Sequence, residues 1–401
     1  MSDKQPNKWS ADLEREAVRA PEWRSEVNRP QAESISVASV WQMESPETAD
    51  QALSGADGVY VYRRDGHPNE RTLAEKLAKL HGGSHAAITA QGMSAVGAVA
   101  LGLLSPGDSV WVAHELYGKS IQLFAKDLTR WGIEYRSFDP LDSEHISELA
   151  NTSAALVMVE TISNPRLRVP DLGAIAEASH KAGAKLVVDN TFATHLICRP
   201  IDFGADLVIE SLGKQVNGHS DAMVGLVVSK EPETAEAVQS TISTFGMASS
   251  PLDCYLTHRG LSTLAVRVDR ANVNALAVAE RLAGLEQVQV DYPGLHTHPQ
   301  HEVARQQLRG GYGWMLTFHL KCERDGVLEV FDRLRPEIPF VPSLGDVSSS
   351  VSHPASTSHR GFTVEQREAL GIYEGTIRLS CGIEPTEWLV EKVSKALSQL
   401  D

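Results

Sequence analysis

The chain has 401 residues, 42% of them hydrophobic and 22% charged, which is the composition of a globular protein long enough for one large domain and a smaller one. Its net charge of -15 disfavours nucleic acid as a partner, because an acidic surface repels phosphate backbones. The four cysteines are widely spaced and form no C-x-x-C pair, so structural zinc has little support and a disulfide framework has none.

The N-terminal 57 residues form a polar segment that Pro21, Pro30 and Pro46 interrupt. We predict an irregular N-terminal arm over residues 1–57 that contacts a partner subunit, with simple disorder as the alternative. The first residues contain no apolar stretch of the kind that signal peptides carry. Together with the scattered thiols, which are typical of a reducing compartment, this predicts a cytoplasmic protein.

An alternation of helices and short strands begins near residue 70. Helical periodicity and stop signals predict helices at 71–82, 92–104 and 171–183. Short apolar segments predict strands at 85–89, 108–113, 133–138, 154–160, 185–190, 205–211 and 225–229. Because these strands read as continuously apolar, we predict a doubly wound, mostly parallel α/β sheet that is covered on both faces and binds ligands at the carboxyl ends of its strands.

The apolar segment 86–104 is close to the roughly 20 residues that cross a bilayer. It contains polar residues and three glycines, so a strand, a sharp turn at Gln91–Gly92 and a buried helix explain it better. We therefore expect no membrane partner.

The pattern changes after about residue 255. Helical patterns at 272–284 and 387–400 accompany strand patterns at 314–320 and 375–384. We predict a larger domain over residues 58–256 and a smaller α+β domain over residues 257–401.

Two residues with informative chemistry follow neighbouring predicted strands. Asp189 ends one strand, and Lys214 follows the next in a Gly-rich, polar turn. Each alone has an ordinary explanation, since strand-end acids often cap turns and loop lysines are usually solvated. Together they offer an amine for a carbonyl and a carboxylate for a ring nitrogen, which are the two groups that an aldehyde cofactor needs.

The run S-L-G-K-Q-V-N-G-H-S-D (211–221) resembles the lysine signature of the Cys/Met metabolism PLP-dependent family, the γ-subfamily of fold-type I enzymes. Further matches occur in the family's order, at 60–69, 91–95, 116–120, 160–165, 292–301, 343–346, 353–359 and 377–384. Their joint occurrence identifies the chain as a member. The resemblance implies the PLP-dependent transferase fold of type I, with pyridoxal 5'-phosphate (PLP) bound in the 58–256 domain.

The resemblance also implies roles for single residues. Lys214 would hold the cofactor as a Schiff base and move substrate protons, and Asp189 would bind the ring nitrogen. Tyr117 would stack on the ring and assist acid–base steps, and Asn164 would lie near the 3'-oxygen. Without the surrounding motif, a half-buried structural tyrosine would be the preferred interpretation of Tyr117.

The implied phosphate site combines two sets of donors. Gly92 and Met93 begin a predicted helix, where free N–H groups and the helix dipole favour an anion, and Ser211 would add a hydroxyl. Tyr62 and Arg64 would reach the phosphate from the neighbouring subunit, and an arginine fork suits a phosphate well. This arrangement implies a homo-oligomer, a tetramer built from catalytic dimers.

The implied substrate site consists of Arg378, which would bind the α-carboxylate, with Ser343 and Tyr117 beside it. For Arg378 alone, a structural salt bridge would be the preferred interpretation. No metal site is expected, since the resemblance makes the clustered histidines structural: His298, His301, His353 and His359.

The sequence departs from the family pattern at four positions. Gly213 stands before the lysine, where the family usually has threonine, and Arg63 separates the two phosphate-binding residues of the neighbouring subunit, where serine is common. Lys119 replaces a residue that is often cysteine in methionine γ-lyases. Ser348 occupies a place that is often glutamate in enzymes acting on cystathionine, so the identity of the substrate stays open.

The predicted function is that of a PLP-dependent C–S lyase acting on a small sulfur amino acid, by β- or γ-elimination of the cystathionine lyase type. The main alternative is a γ-replacement enzyme, such as a cystathionine γ-synthase or an O-acetylhomoserine sulfhydrylase. A catalytically inactive PLP-binding scaffold is a remote alternative.

Overall fold

The computed structural model of the protein describes residues 10–19, 30–54 and 58–398, and within these ranges two β-sheets form, one of seven strands and one of four. The strands of the larger sheet are β1 (His85–Thr89), β2 (Ser109–Ala113), β3 (Glu134–Phe138), β4 (Leu156–Glu160), β5 (Lys185–Asp189), β6 (Leu207–Ser211) and β7 (Gly225–Ser229). The strands of the smaller sheet are β8 (Val288–Asp291), β9 (Met315–Leu320), β10 (Ser350–Ser352) and β11 (Thr376–Ser380).

The α-helices surround these sheets. Those up to the end of the larger sheet are α1 (Ala11–Val18), α2 (Pro46–Leu53), α3 (Pro68–His81), α4 (Gly92–Leu103), α5 (Gly118–Gln122), α6 (Ser143–Ala150), α7 (Leu172–Lys181) and α8 (Thr194–Ile197). Those that follow are α9 (Pro232–Thr244), α10 (Pro251–Leu261), α11 (Leu264–Ala283), α12 (His301–Gln307), α13 (Arg324–Leu334), α14 (Val364–Ala369) and α15 (Thr386–Leu397). No helix in the described ranges is both long and apolar enough to cross a membrane.

The larger sheet has the strand order β1-β7-β6-β5-β4-β2-β3. β3, β2, β4, β5 and β6 run parallel, and β7 is antiparallel to both of its neighbours. This confirms the predicted mostly parallel α/β sheet. Glu160 at the end of β4 pairs in register with Asp189 at the end of β5, so the carboxyl ends of the central strands meet at one edge.

Burial follows the position of each strand in the sheet. All five residues of β4 are buried, because helices cover both faces of the central strands. The prediction of two-sided burial is wrong for β3, in which Glu134, Arg136 and Ser137 are exposed. β3 is an edge strand that pairs only with β2 in the described sheet, and charged side chains are common at such edges.

The N-terminal segment differs from its prediction. It was expected to be irregular, but it contains α1 and α2, each begun by a serine whose hydroxyl accepts a backbone N–H, Ser10 from Leu13 and Ser45 from Thr48. Pro46 does not break α2, because it lies in the first turn, where its missing N–H has no intrahelical acceptor in any case. Contact of this segment with a partner subunit stays a prediction, and residues 1–9, 20–29 and 55–57 lie outside the described part.

The smaller sheet has the order β10-β11-β9-β8, and each neighbouring pair is antiparallel. The helix predicted at 272–284 is longer than expected, since α11 begins at Leu264, and the strand predicted at 375–384 ends at Ser380. The α+β character of this part is as predicted. The boundary between residues 256 and 257 stays a prediction.

Candidate active site

A cleft of about 1410 Å³ opens at the carboxyl ends of β4, β5 and β6 and reaches across to the smaller sheet. The predicted site residues that line it are Gly92, Met93, Tyr117, Asn164, Asp189, Ser211, Lys214, Ser343 and Arg378. Gly92 and Arg378 are 286 positions apart in sequence and still line one cavity. The parallel strands bring such distant residues together because the loops after them lie at the same edge of the sheet.

Lys214 lies in a tight turn directly after β6. Its Nζ donates to the hydroxyl of Ser343 over 2.7 Å. Burial, followed by the positive charge of Arg378, lowers the pKa of Lys214. Both effects favour the neutral amine, which is the form that attacks a carbonyl.

A buried arginine that the sequence analysis did not identify supports this turn. Arg267 in α11 donates to the carbonyl oxygens of Gln215 at 2.6 Å, Val216 at 2.8 Å and Gly260 at 2.6 Å. Burial lowers the pKa of Arg267 to about 10, so the side chain stays charged at neutral pH. No local pattern marks this residue, because a buried arginine in a helix reads like any other helical arginine.

Asp189 ends β5 as predicted and is held by its own turn. Its Oδ1 accepts hydrogen bonds from Thr191, from the backbone N–H at 3.0 Å and from the hydroxyl at 2.6 Å. Burial raises the pKa of Asp189, and these hydrogen bonds act in the opposite direction. A half-buried carboxylate of this kind fits a cationic ring nitrogen, whose charge would offset the cost of its desolvation.

The start of α4 lines the same cleft as Asp189 and offers hydrogen-bond donors for an anion. Gln91 caps the helix without a side-chain hydrogen bond, and the first N–H groups of a helix have no intrahelical acceptor. A Cβ atom at Gly92 would lie 2.9 Å from the Cβ of Ser211, so only glycine lets the helix start approach β6 this closely. The N–H groups of Gly92 and Met93 and the Ser211 hydroxyl can therefore hold a phosphate.

Tyr62 and Arg64 are the two predicted site residues that do not line the cleft. The Arg64 guanidinium carbon lies 5.1 Å from the centre of the Tyr62 ring, and Tyr62 is 45% exposed. The two side chains thus form an exposed pair. Their predicted reach into a neighbouring subunit's site stays a prediction.

Arg378 on β11 is buried and brings two loops together. Its Nη1 donates to Asn164 Oδ1 at 2.8 Å, and its Nη2 donates to the carbonyl oxygen of Ser343 at 3.1 Å. Burial lowers the pKa of Arg378 to about 10, which leaves the guanidinium charged at neutral pH. Arg378 and Lys214 therefore meet at Ser343, so the carboxylate of an amino acid could be bound by Arg378 close to the reactive amine.

Glu160 is a second residue that received no role from the sequence. It ends β4, lines the cleft, and is buried. Its two carboxylate oxygens accept backbone N–H groups from different loops, Oε1 from Tyr117 at 2.8 Å and Oε2 from Asn164 at 3.0 Å. Only its position in the matched 160–165 segment could have suggested it.

The four departures from the family pattern have different environments. Gly213 lines the cleft, and a Cβ atom there would lie 2.5 Å from the carbonyl oxygen of Ala222, which explains why a larger residue is absent. Lys119 is exposed and donates to Gln122 at 3.0 Å. Arg63 and Ser348 are also outside the lining of the cleft.

The histidines that could have suggested a metal make ordinary hydrogen bonds, such as that of His353 Nε2 with the carbonyl oxygen of Glu374 at 2.8 Å. His301 Nδ1 likewise lies 2.9 Å from the carbonyl oxygen of Pro293. Within the described ranges, no three His, Cys, Asp or Glu side chains are placed to hold a metal ion.

Comparisons with known proteins identify the family. The sequence profile of the Cys/Met metabolism PLP-dependent enzyme family matches residues 15–398. O-succinylhomoserine sulfhydrylase of Mycobacterium tuberculosis is 35% identical over 372 residues, which cover 92% of this chain and 91% of that protein. L-methionine gamma-lyase of Fusobacterium nucleatum subsp. polymorphum is 33% identical over 366 residues, with 90% and 92% covered.

A solved structure shows the same fold. Cystathionine gamma synthase of Xanthomonas oryzae pv. oryzae, crystallised in complex with aminoacrylate and cysteine, superposes with a TM-score of 0.90 at 38% identity. The match covers 96% of this chain and 97% of that one.

The α/β fold, with an amine and a carboxylate at the carboxyl ends of neighbouring strands in one cleft, is that of a PLP-dependent enzyme. The chain belongs to the Cys/Met metabolism PLP-dependent enzyme family. Its cofactor is therefore PLP, and its chemistry belongs to sulfur amino-acid metabolism.

Proposed function

We propose that the protein is a C–S lyase that eliminates the sulfur substituent from a small sulfur amino acid, with PLP bound covalently at Lys214. The observation that carries the proposal is the meeting of Lys214 Nζ and the Arg378 guanidinium at Ser343, which lies within the same cleft as Asp189. This places the amine that would hold the cofactor, a group for the substrate carboxylate and a partner for the cofactor ring in one cavity.

Different residues of the cleft would bind different parts of the cofactor. Asp189 would hold the protonated ring nitrogen, and the first N–H groups of α4, with the Ser211 hydroxyl, would hold the phosphate. Tyr117, which is 39% exposed at the cleft, would cover the ring. When bound, PLP supplies an electron sink that stabilises negative charge at the substrate Cα.

Lys214 would carry out the proton transfers. Arg378 would bind the substrate α-carboxylate close to the Lys214 amine, since both side chains contact Ser343. The lowered pKa of Lys214 lets the neutral amine remove the substrate Cα proton and later return one. After the thiol leaves, hydrolysis yields an oxo-acid and ammonia.

A second candidate is replacement of a γ-substituent by a thiol. It is favoured by the relatives themselves, since the similarity to O-succinylhomoserine sulfhydrylase and to cystathionine gamma synthase is as strong as that to the lyases. Product analysis separates the two. Release of ammonia and a thiol from cystathionine without an added thiol supports elimination, whereas a requirement for an acylated homoserine plus a thiol would establish replacement.

The inactive scaffold is tested by absorbance together with activity. The protein as purified should show a visible band from the cofactor bound at Lys214, and K214A should lose both this band and product formation. A wild-type protein that shows the band but converts neither cystathionine nor an acylated homoserine would support the scaffold.

We also propose that the protein is a cytoplasmic homotetramer built from catalytic dimers. The exposed Tyr62–Arg64 pair supports the catalytic dimer, because both side chains lie outside their own chain's cleft and at the surface, with Arg64 close to Asp65.

A further inference from the structure

Glu160 links the two loops that carry predicted site residues. It accepts the Tyr117 N–H with one carboxylate oxygen and the Asn164 N–H with the other. The first loop leads into α5 and the second follows β4, so a single buried side chain fixes both.

The second of these hydrogen bonds continues through a chain of contacts. Asn164 accepts from Arg378 at 2.8 Å, Arg378 donates to the carbonyl oxygen of Ser343 at 3.1 Å, and Lys214 donates to the Ser343 hydroxyl at 2.7 Å. Glu160 therefore stands at the end of a continuous hydrogen-bonded path to the reactive amine.

We propose that Glu160 is a positioning residue that sets the placement of Tyr117 and, through Asn164, the orientation of the Arg378 guanidinium toward the substrate carboxylate. Its side chain is anchored at the end of the central strand β4, a rigid base for two otherwise irregular loops. Burial, followed by the charge of Asp189, raises the pKa of Glu160 well above its usual value, so its role rests on geometry: each carboxyl oxygen accepts one backbone N–H, from Tyr117 at 2.8 Å and from Asn164 at 3.0 Å. The inference rests on the carboxylate-binding role proposed above for Arg378.

The test uses glycine as the probe, because it carries an amine and a carboxylate but no leaving group. Its binding to the holoenzyme is followed by the change in the cofactor's visible absorbance, so the readout is independent of elimination. E160Q keeps the size of the side chain but replaces one of the two acceptor oxygens with a donor. We expect E160Q to weaken glycine binding about tenfold, which corresponds to about 1.4 kcal/mol.

E70Q is the matched control. Glu70 is equally buried but lies in α3, outside the lining of the cleft, so E70Q should bind glycine within about twofold of the wild type. Equal effects of E160Q and E70Q, or an unchanged affinity in E160Q, would overturn the proposal. An E160Q protein that fails to fold while E70Q folds would also overturn it, since Glu160 would then act in folding instead.

A double-mutant cycle tests the path itself. N164A removes the side chain that contacts Arg378. If most of the effect of E160Q passes through Asn164, adding E160Q to N164A should weaken glycine binding by about threefold or less. If the losses of glycine-binding free energy in E160Q and N164A simply add in the double variant, the path is contradicted. R378A separates this inference from the proposed function. Normal glycine binding in R378A would refute carboxylate binding by Arg378. Weak binding in R378A together with normal binding in E160Q would refute only the role of Glu160.

Discussion

Arg378 Nη1 donates to Asn164 Oδ1 over 2.8 Å, although the two residues are 214 positions apart in the chain. This hydrogen bond joins the smaller sheet to the loop after β4. It leaves the guanidinium fork held on one side by Asn164 and on the other by the carbonyl oxygen of Ser343.

The first prediction concerns this fork. R378K keeps the charge but replaces a planar guanidinium with a single ammonium. The ammonium cannot hydrogen-bond to Asn164, to Ser343 and to a carboxylate in the same geometry. We expect KM for the amino-acid substrate to rise by about 10- to 100-fold, with a smaller fall in kcat, in steady-state kinetics. R305K, at an exposed arginine that pairs with Glu302, is the control and should leave both parameters near wild type. A fall in kcat at unchanged KM would argue against carboxylate binding by Arg378.

The second prediction concerns Gly213. An added Cβ atom would lie 2.5 Å from the Ala222 carbonyl oxygen, so G213A must displace backbone next to Lys214. We expect a loss of stability of about 1–3 kcal/mol and weaker retention of PLP, measured by thermal unfolding and by the visible band after dialysis. G361A provides the matched control, because nothing lies within 4 Å of a Cβ atom at that position. If G213A and G361A behave alike, the close approach at Gly213 does not constrain the turn.

The third prediction concerns the pH dependence of stability through Glu70. Burial raises the pKa of Glu70 from 4.5 to about 7, while a hydrogen bond from Ser249 acts in the opposite direction. The folded state therefore holds this proton more tightly than the unfolded state. Its stabilising contribution is full below pH 4.5 and is lost as the pH rises through about 7, and the gap between the two pKa values corresponds to about 3 kcal/mol.

E70Q should remove this pH dependence. Relative to the wild type, we expect E70Q to be similarly stable near about pH 5 and more stable near about pH 8.5, measured as unfolding midpoints. The pKa of His67, lowered to about 4 mainly by burial, makes stability rise with pH between 4 and 6.5. Because His67 Nε2 lies 3.6 Å from Glu70 Oε2, E70Q changes this contribution too, and the change in the difference between E70Q and wild type above about pH 6.5 reports on Glu70 alone. A difference between the proteins that is the same at both pH values would contradict the assignment.

The fourth prediction concerns the subunit boundary. K214A and R64A should each be inactive or nearly so. If Arg64 serves the neighbouring subunit's phosphate site, a hybrid dimer contains one site with both substitutions and one intact site. Mixing the two variants after dissociation should then restore about a quarter of wild-type activity. If no activity returns although hybrids form, Arg64 acts within its own chain.

The fold could largely be predicted from sequence because its signals are local. Continuous apolar strands such as 156–160 lie at the centre of the parallel sheet, and the turn at Gln91–Gly92 separates β1 from α4 as expected. The errors arose where a local signal was ambiguous. Pro46 was interpreted as a helix breaker, and β3 was expected to be buried although its polar residues indicate an edge.

What the sequence by itself determined is the pair Asp189 and Lys214. Each follows a recognisable strand, and parallel neighbours β5 and β6 bring their ends together. The lysine signature around Lys214 added the cofactor. These properties depend on residues adjacent in the chain, so pattern and spacing suffice to find them.

What only the tertiary structure decided is how Lys214 is held and what it faces. Its contact with Ser343 spans 129 positions, and the support of its turn by Arg267 spans 52. The bridge that Glu160 makes between two loops and the close approach that requires Gly213 are likewise absent from any local pattern. These contacts exist only because the smaller sheet and α11 pack against the carboxyl edge of the larger sheet, where buried polar groups must find partners from distant parts of the chain.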